Sequence, residues 1–519
     1  VPVADEKSTA LRGSNMSTCV YGSSSATGTT FDSQLCVTAG ATVTSNSDAT
    51  AIATITDLDS VAVIIDVLWV LVCGILVFWM QAGFAMLEAG SVRAKNTNNI
   101  LFKNIMDASI GAICFWLLGF SFAYGNNRYQ YDNPGSDNTF IGAGNWALRN
   151  FNNDDSYHSF FFQWAFAGAA ATIVSGSVAE RCRLEAYFIY TIVLTTFVYP
   201  VVVHWVWSGT GWASAFYAND KGERYLKDNG MIDFAGSGVV HMTGGFAGLV
   251  GAIALGPRKY FGDPENEHKL RGSSDLLCAL GVAILWMGWY GFNAGSTLGA
   301  AAGYGTPFPY IAVASKVCVT TTIAAAMGAI CTMLYSRIVQ GYFNLGLCLN
   351  GVLAGLVSIT APCSVVEPWA AMMIGLIGSF VYIGFSNLIK MLGVDDPLDA
   401  FPVHGGCGMW GVLSVGIFAT RSNISRTYGF DNDAVKNGNQ FRNQLAGMLA
   451  IICWVVATSS LIFFPLKFAG LLRVSEEEEE KGLDASEHGV EMIGGESKGA
   501  LEKKGSIGGA ALNAGSTAV

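Results

Sequence analysis

Charge is what this chain has least of. Only 13% of its 519 residues are Asp, Glu, Lys or Arg, about half the share usual in soluble domains. Mean hydropathy is +0.41, and together these argue against a soluble globular fold. Metal-ligand spacings, a nucleophile–base pair and a phosphate-cradling loop are all missing, so an enzyme is the reading the sequence supports least, and no cofactor is expected. The apolar runs are continuous and do not alternate, which removes a membrane barrel. Twelve cysteines do not amount to a disulfide framework, because most fall inside those runs, where a thiol is a small apolar side chain. Cys19 and Cys36 stand apart in a Ser/Thr-rich polar segment, oxidisable to each other or between subunits if it is extracellular. The chain starts with valine and shows no cleavable signal. A removed signal peptide and a truncated chain explain this equally.

What the sequence does have is long apolar runs. Eleven lie near 61–87, 99–124, 160–179, 186–206, 236–255, 275–298, 308–335, 343–360, 365–392, 402–420 and 441–469, each close to the roughly twenty residues that cross a hydrocarbon core. The expected fold is therefore an all-α membrane protein with eleven transmembrane helices. Runs 343–360 and 402–420 are the shortest and rich in glycine. The net charge of −10 owes much to the polar ends, including EEEEE at 476–480. The organisation read from this is an extracellular polar tail (1–59), a transmembrane domain (60–470) and a cytosolic tail (471–519), disordered after about 492. Arg93 and Lys95, Arg181 and Arg183, and Arg258, Lys259, Lys269 and Arg271 follow runs one, three and five. Those ends are expected in the cytosol, with the N-terminus outside and the C-terminus inside. The sequons at Asn15 and Asn423 then fall on the outer side as candidate glycosylation sites.

Two stretches carry the functional signal. DFAGSGVVHMTGG (233–245) places His241 in an apolar run, and DAFPVHGGCG (399–408) repeats the arrangement with His404. Run one carries Trp79-Met followed by Gly-Phe. Run six repeats this from Trp286, with the Gly-Phe one residue later. Five runs per half is an odd number, so the halves must insert with opposite topology. That is an inverted repeat of two five-helix halves plus a final helix, with a substrate path at their interface. A lone core histidine is commonly just bonded to a carbonyl. Two at matching positions of an inverted repeat, with glycines allowing close approach, point to touching rings that titrate as a unit. His241 lies eight residues after Asp233, roughly 12 Å if both are on one helix. Asp233 itself is equally readable as a substrate ligand or an N-cap.

Trp289, Phe292 and Ser296 share a helix face in GWYGFNAGS (288–296). Phe162 and Phe166 lie in the first turns of run three, and Trp207 at the outer end of run four. Interfacial aromatic belts are the ordinary explanation of such residues. Aromatics with one hydroxyl and no convergent acid also suit a small cation held by cation–π attraction. Lys316, in the seventh run, is a buried-looking cation expected to snorkel outward.

Together, FWMQAGFAMLEAGSVRAKN (78–96), AERCRLEAY (179–187), DFAGSGVVH (233–241), GWYGFNAGS (288–296) and DDPLDAFPVHG (395–405) resemble the ammonium transporter (Amt/Rh) family, in its plant and algal branch, over about 60–490. The resemblance implies a homotrimer in the plasma membrane with one pore per subunit, carrying ammonium and the poorer substrate methylammonium. No nucleic acid is involved. It also implies roles: recruitment by Trp207 and Ser296, with Phe162 in the vestibule and Asp233 beside them; a gate of Phe166 and Phe292; and a path lined by Trp289, His241 and His404. An electroneutral gas channel of the Rh kind and an ammonium sensor are the competing readings. In the tail, the stretch from Gly482 to His488 resembles the family's regulatory segment, with Ser486 in the place of a phosphorylatable threonine and hence a kinase as possible partner. The acidic run before it is equally readable as a solvated face.

Overall fold

The computed structural model describes residues 18–20, 35–37, 48–125, 138–149, 157–216, 225–226, 229–301, 309–429 and 438–490. The sequon at Asn15 and the disorder expected after about 492 lie outside the described residues. Within the expected polar tail, two short strands, β1 (Thr18–Val20) and β2 (Leu35–Val37), pair antiparallel with Cys19 opposite Cys36. The first helix, α1 (Asp48–Ser91), also begins inside that tail.

The remaining long elements are helices: α2 (Ala94–Tyr124), α3 (Tyr157–Ser177), α4 (Leu184–Trp207), α5 (Ser237–Leu255), α6 (Asp275–Gly295), α7 (Tyr310–Gln340), α8 (Leu345–Thr360), α9 (Pro368–Met391), α10 (Phe401–Phe418) and α11 (Asn439–Phe468). Among the described residues, nine helices are long and apolar enough to cross a membrane. The helix α3 is diluted by alanine, glycine and serine, and α8 is only 16 residues long; these two fall outside that class. The protein is an all-helical, multi-pass membrane protein. Local sequence sets the ends: Ser274 and Asn344 accept the amides of Leu277 and Leu347 to cap α6 and α8, and Pro368 opens α9 where a missing N–H costs nothing.

Two pairings position the centre. The helix α6 runs against the second half of α1, from Gly295 beside Cys73 to the start of α6 beside Gly90. The helices α5 and α10 meet at glycine, where a Cβ on Gly245 would collide with the backbone nitrogen of Gly405. Both of these helices open with a six-residue π-helical segment, Ser237–Met242 and Phe401–Gly406. Because α5 starts only at Ser237, Asp233 and His241 are not two turns of one helix, and the expected separation of roughly 12 Å along a common helix does not apply.

The basic residues used to orient the chain have a second role. Arg258 bonds Glu180 at 2.7 Å and Asp395 at 2.8 Å, Arg93 bonds Glu180 at 3.0 Å, and all four side chains are buried. Arg181 reaches the carbonyl of Asp395 at 2.7 Å. Burial pushes Glu180 and Asp395 up, but the facing guanidiniums outweigh it and hold both carboxyls below their ordinary range. Losing Arg258 alone would strand the buried carboxylate of Asp395 and leave Glu180 to Arg93, at about 3–5 kcal/mol.

The sequon at Asn423 is corrected by the fold. Asn423 is 3% exposed in a two-turn helix, Arg421–Tyr428, and its amide donates to Glu367 at 2.8 Å. A glycan has no access to it there. Lys316 leans to the same carboxylate, 4.0 Å from Glu367.

Candidate functional site

The π-helical start of α5 follows Gly236, whose φ of +109° is open to glycine at little cost. The Asp233 carboxylate accepts the amides of Gly236, Gly238 and Val239 at 2.8–2.9 Å, so it caps this segment and does not face a ligand. Burial pushes its carboxyl up to about 6, while these amide bonds pull it down. Its backbone carbonyl accepts the Trp207 indole N–H at 2.7 Å, which ties the outer aromatic to the loop that carries His241.

On that segment the structure brings His241 and His404 together. Their Nδ1 atoms are 3.1 Å apart and the rings stack at 5.2 Å. Such a contact is a hydrogen bond only if one Nδ1 donates and the other accepts. A neutral pair must then expose one protonated and one bare Nε2. The Nε2 of His241 is buried without a protein partner. The pair thus carries one Nε2–H donor and one bare Nε2 acceptor, and these exchange only when the shared proton shifts together with gain of a proton at the bare Nε2 and loss of one from the other.

The aromatic residues build upward from this pair. Trp289 and Phe292 of α6 both stack on His241, at 5.2 and 5.5 Å. Phe292 lies against Phe166 at 4.0 Å and 24°. Phe166 in turn meets Phe162 at 4.7 Å and Trp207 edge-on at 5.8 Å. Phe162, Phe166, Trp289 and Phe292 are all buried. The result is a closed column of rings above two imidazoles. Ser296 joins it only through its hydroxyl, which donates to the Phe292 carbonyl at 2.8 Å. Beside Ser296 lies a small cavity of about 20 Å³, lined also by Phe216, Phe234 and Tyr428. His204 is apart from the column, its ring nitrogens 2.8 Å from the carbonyls of Ala123 and Asn138.

With this geometry in place, comparison with known proteins is direct. The model of the Ammonium Transporter Family matches residues 68–492. The chain is 45% identical over 411 residues to putative ammonium transporter 1 member 5 of Arabidopsis thaliana, covering 77% of this chain and 80% of that one. It is 43% identical over 416 residues to ammonium transporter 1 member 1 of Oryza sativa subsp. japonica, covering 78% and 80%. This chain belongs to the ammonium transporter family. A solved sensor Amt protein superposes with a TM-score of 0.71 at 32% identity, over 83% of this chain and 99% of that one. Candida albicans Mep2 gives 0.68 at 26%, over 80% and 87%.

In this family member the tail is folded onto the starts of α2 and α4 and the connection after α5. Two short helices, α12 (Glu476–Lys481) and α13 (Leu483–Glu487), follow α11. The acidic run is only partly solvated. Glu479, 1% exposed, accepts from Arg473 and from the amide of Lys259, each at 2.8 Å. Glu480 bonds Lys259 and Tyr260, whose hydrogen bonds hold its carboxyl below the ordinary range. Asp484 accepts the amides of Asn98 and Asn99, and Glu487 that of Leu184, so the tail caps α2 and α4. Gly482 has φ +100°, and a Cβ there would come within 2.7 Å of Lys95. Ser486 is half-buried and donates to the Gly482 carbonyl at 3.1 Å.

Sequence reasoning missed several contributors to the site. Thr360 accepts the Trp289 indole at 2.9 Å, and nothing in its surroundings in the sequence signals that. The Phe84 ring lies 6.4 Å from His404 and was already visible in the Gly-Phe pair of the first run. The Asn96–Asn99 docking surface was visible only as the polar end of a motif.

Asp233→Ala should cost on the order of 3 kcal/mol, because three amides lose their buried acceptor. The drop should appear in thermal unfolding of the detergent-purified protein, with Asp233→Asn milder because its amide oxygen still accepts. An Asp233→Ala protein that melts with the parent would show that the cap is dispensable.

Proposed function

We propose that this protein moves ammonium from outside to cytosol, as ammonia plus a proton, through a pore gated by Phe166 and Phe292 and lined by Trp289, His241 and His404. The observation that carries the reading is the Nδ1–Nδ1 contact of two buried histidines directly beneath a closed pair of phenylalanines. Ammonium and potassium are close in size, but only ammonium donates hydrogen bonds and gives up a proton. A dry aromatic column makes passage of either intact ion costly, because desolvation goes uncompensated. The bare Nε2 of the pair accepts a hydrogen bond from an ammonia-sized donor and offers potassium nothing. Trp207, Phe162 and Ser296 would gather the cation outside, with Asp233 bracing them. The relatives named as ammonium transporters favour this over a sensor.

The same reading has eleven membrane crossings, with α3 crossing where buried neighbours shield its weaker apolar character and α8 crossing as a short helix. It makes α1–α5 and α6–α10 inverted halves that join at the α5–α10 glycine contact. It places homotrimers in the plasma membrane, the N-terminus outside with Cys19 and Cys36 oxidised, and the C-terminus in the cytosol. Methylammonium is the poorer substrate. The docked tail is the regulatory element, with Ser486 a kinase target.

Two outcomes test this in cells lacking ammonium uptake. Under voltage clamp the parent should pass ammonium and exclude potassium. His241→Ala or His404→Ala should lower the ammonium-to-potassium current ratio at least about tenfold, the scale of one strong buried hydrogen bond. His204→Ala should keep the ratio. If both pair variants discriminate like the parent, the pair is structural.

For the tail, a phosphate at Ser486 adds nearly two negative charges beside Asp484 and Glu487. Ser486→Asp should suppress transport at unchanged surface abundance, and Ser486→Ala should stay active. Full current from Ser486→Asp with normal surface labelling would contradict regulation through this segment.

A further inference from the structure

The short helix α8 ends in an unusual way. In a regular helix the Ala361 amide would bond the carbonyl of Val357, four residues back. Here the Ser237 hydroxyl sits between them, accepting from the Ala361 amide at 2.7 Å and donating to the Val357 carbonyl at 2.7 Å. Ser237 is the first residue of the π-helical segment that carries His241, and it is fully buried. Two backbone bonds flank the insertion: the Phe234 amide donates to the Ala361 carbonyl at 3.1 Å, and the Ala235 amide to that of Thr360 at 3.2 Å. The whole 234–237 loop is thus strapped to one open turn of α8.

The same turn holds the other side of the pore. Thr360 accepts the Trp289 indole at 2.9 Å, and Trp289 is the ring that lies nearly parallel to His241, at 15°. The turn Val357–Ala361 is therefore the common frame for two rings on different helices. Ser237 and Thr360 are its two attachment points. Space around Ser237 is tight on the far side as well, since a Cβ on Gly411 would lie 2.5 Å from its hydroxyl oxygen. The segment has no slack to take up if the hydroxyl is lost.

We infer that Ser237 is a positioning residue for substrate discrimination: its hydroxyl, inserted into the last turn of α8, fixes the His241 imidazole against Trp289. This deepens the twin-histidine reading and rests on it. Removing the hydroxyl leaves a buried amide and a buried carbonyl to close on each other or to go unpaired. Either outcome lets the start of α5 shift relative to α8. A pore whose width is set by stacked rings then loosens, and the larger methylammonium gains on ammonium.

The test is tracer uptake of ammonium and methylammonium in the full-length protein, normalised to surface-labelled transporter, for Ser237→Ala, Ser237→Cys and Ser237→Thr, with His241→Ala alongside. Ser237→Ala should raise the methylammonium-to-ammonium ratio about fivefold or more, the scale of one unpaired buried amide. Ser237→Thr keeps the hydroxyl, so the fraction that reaches the surface should keep the parent ratio even where the added methyl lowers abundance in this tight site. Ser237→Cys, whose thiol donates weakly, should fall between them, and it carries the test if the alanine variant does not reach the surface. A purely structural role would lower abundance and leave the normalised ratio unmoved, which overturns the inference. If His241→Ala changes discrimination and none of the Ser237 variants does, only the positioning role fails. If His241→Ala also leaves discrimination unmoved, the pore reading fails with it.

Discussion

A buried imidazole has to find its hydrogen bond in protein, and His241 and His404 find it in each other. The rest of the centre follows from that contact. Two rings on different helices reach hydrogen-bond distance only if their backbones nearly touch, hence the Gly245–Gly405 approach. The rings must also point inward from the starts of their helices, and both starts are wound as π-helix. Single π-helical turns are rare inside α-helices and concentrate at functional sites. The same device at both histidines is what pairing two separate helices at one depth requires.

Charge is handled by separating it from the column. The buried carboxylates Glu180 and Asp395 are answered by Arg93 and Arg258 in the connections between helices, and Asp233 is answered by backbone amides at the start of α5. None of these charges is left to act as a fixed countercharge in the aromatic column. On the proposed reading, selection there rests on hydrogen bonding and proton loss, the two respects in which ammonium differs from an alkali cation of its size. The tail attaches to the connections on the charged side, through Glu479, Asp484 and Glu487. Its docking therefore bears on the ends of α2, α4 and α5 and not on the rings themselves.

Much of this was legible in the sequence, and the limits have physical causes. Continuous apolar runs gave the helical membrane class, and the repeated Asp-to-His-Gly pattern singled out His241 and His404. The Trp289–Phe292 spacing put both rings on one face, where they now stack on His241. What could not be read is whatever depends on chain segments distant in sequence. Ser237 looks like a small residue among glycines until α8 is beside it. Thr360 looks like a helix end until Trp289 reaches it. Arg93 and Arg258 read as topological markers because their carboxylate partners lie 87 and 137 residues away. Asn423 reads as a glycan acceptor because a three-residue motif carries no information on burial.

The proposed function has ammonium lose its proton near the phenylalanine gate, with ammonia and the proton crossing separately. The most direct measurement is charge moved per molecule of tracer, taken from current and labelled ammonium uptake in the same proteoliposomes. Proton stripping with both species crossing predicts one elementary charge per labelled molecule, with no current when potassium replaces ammonium. Tracer uptake without matching current would contradict it and identify a channel for the neutral gas.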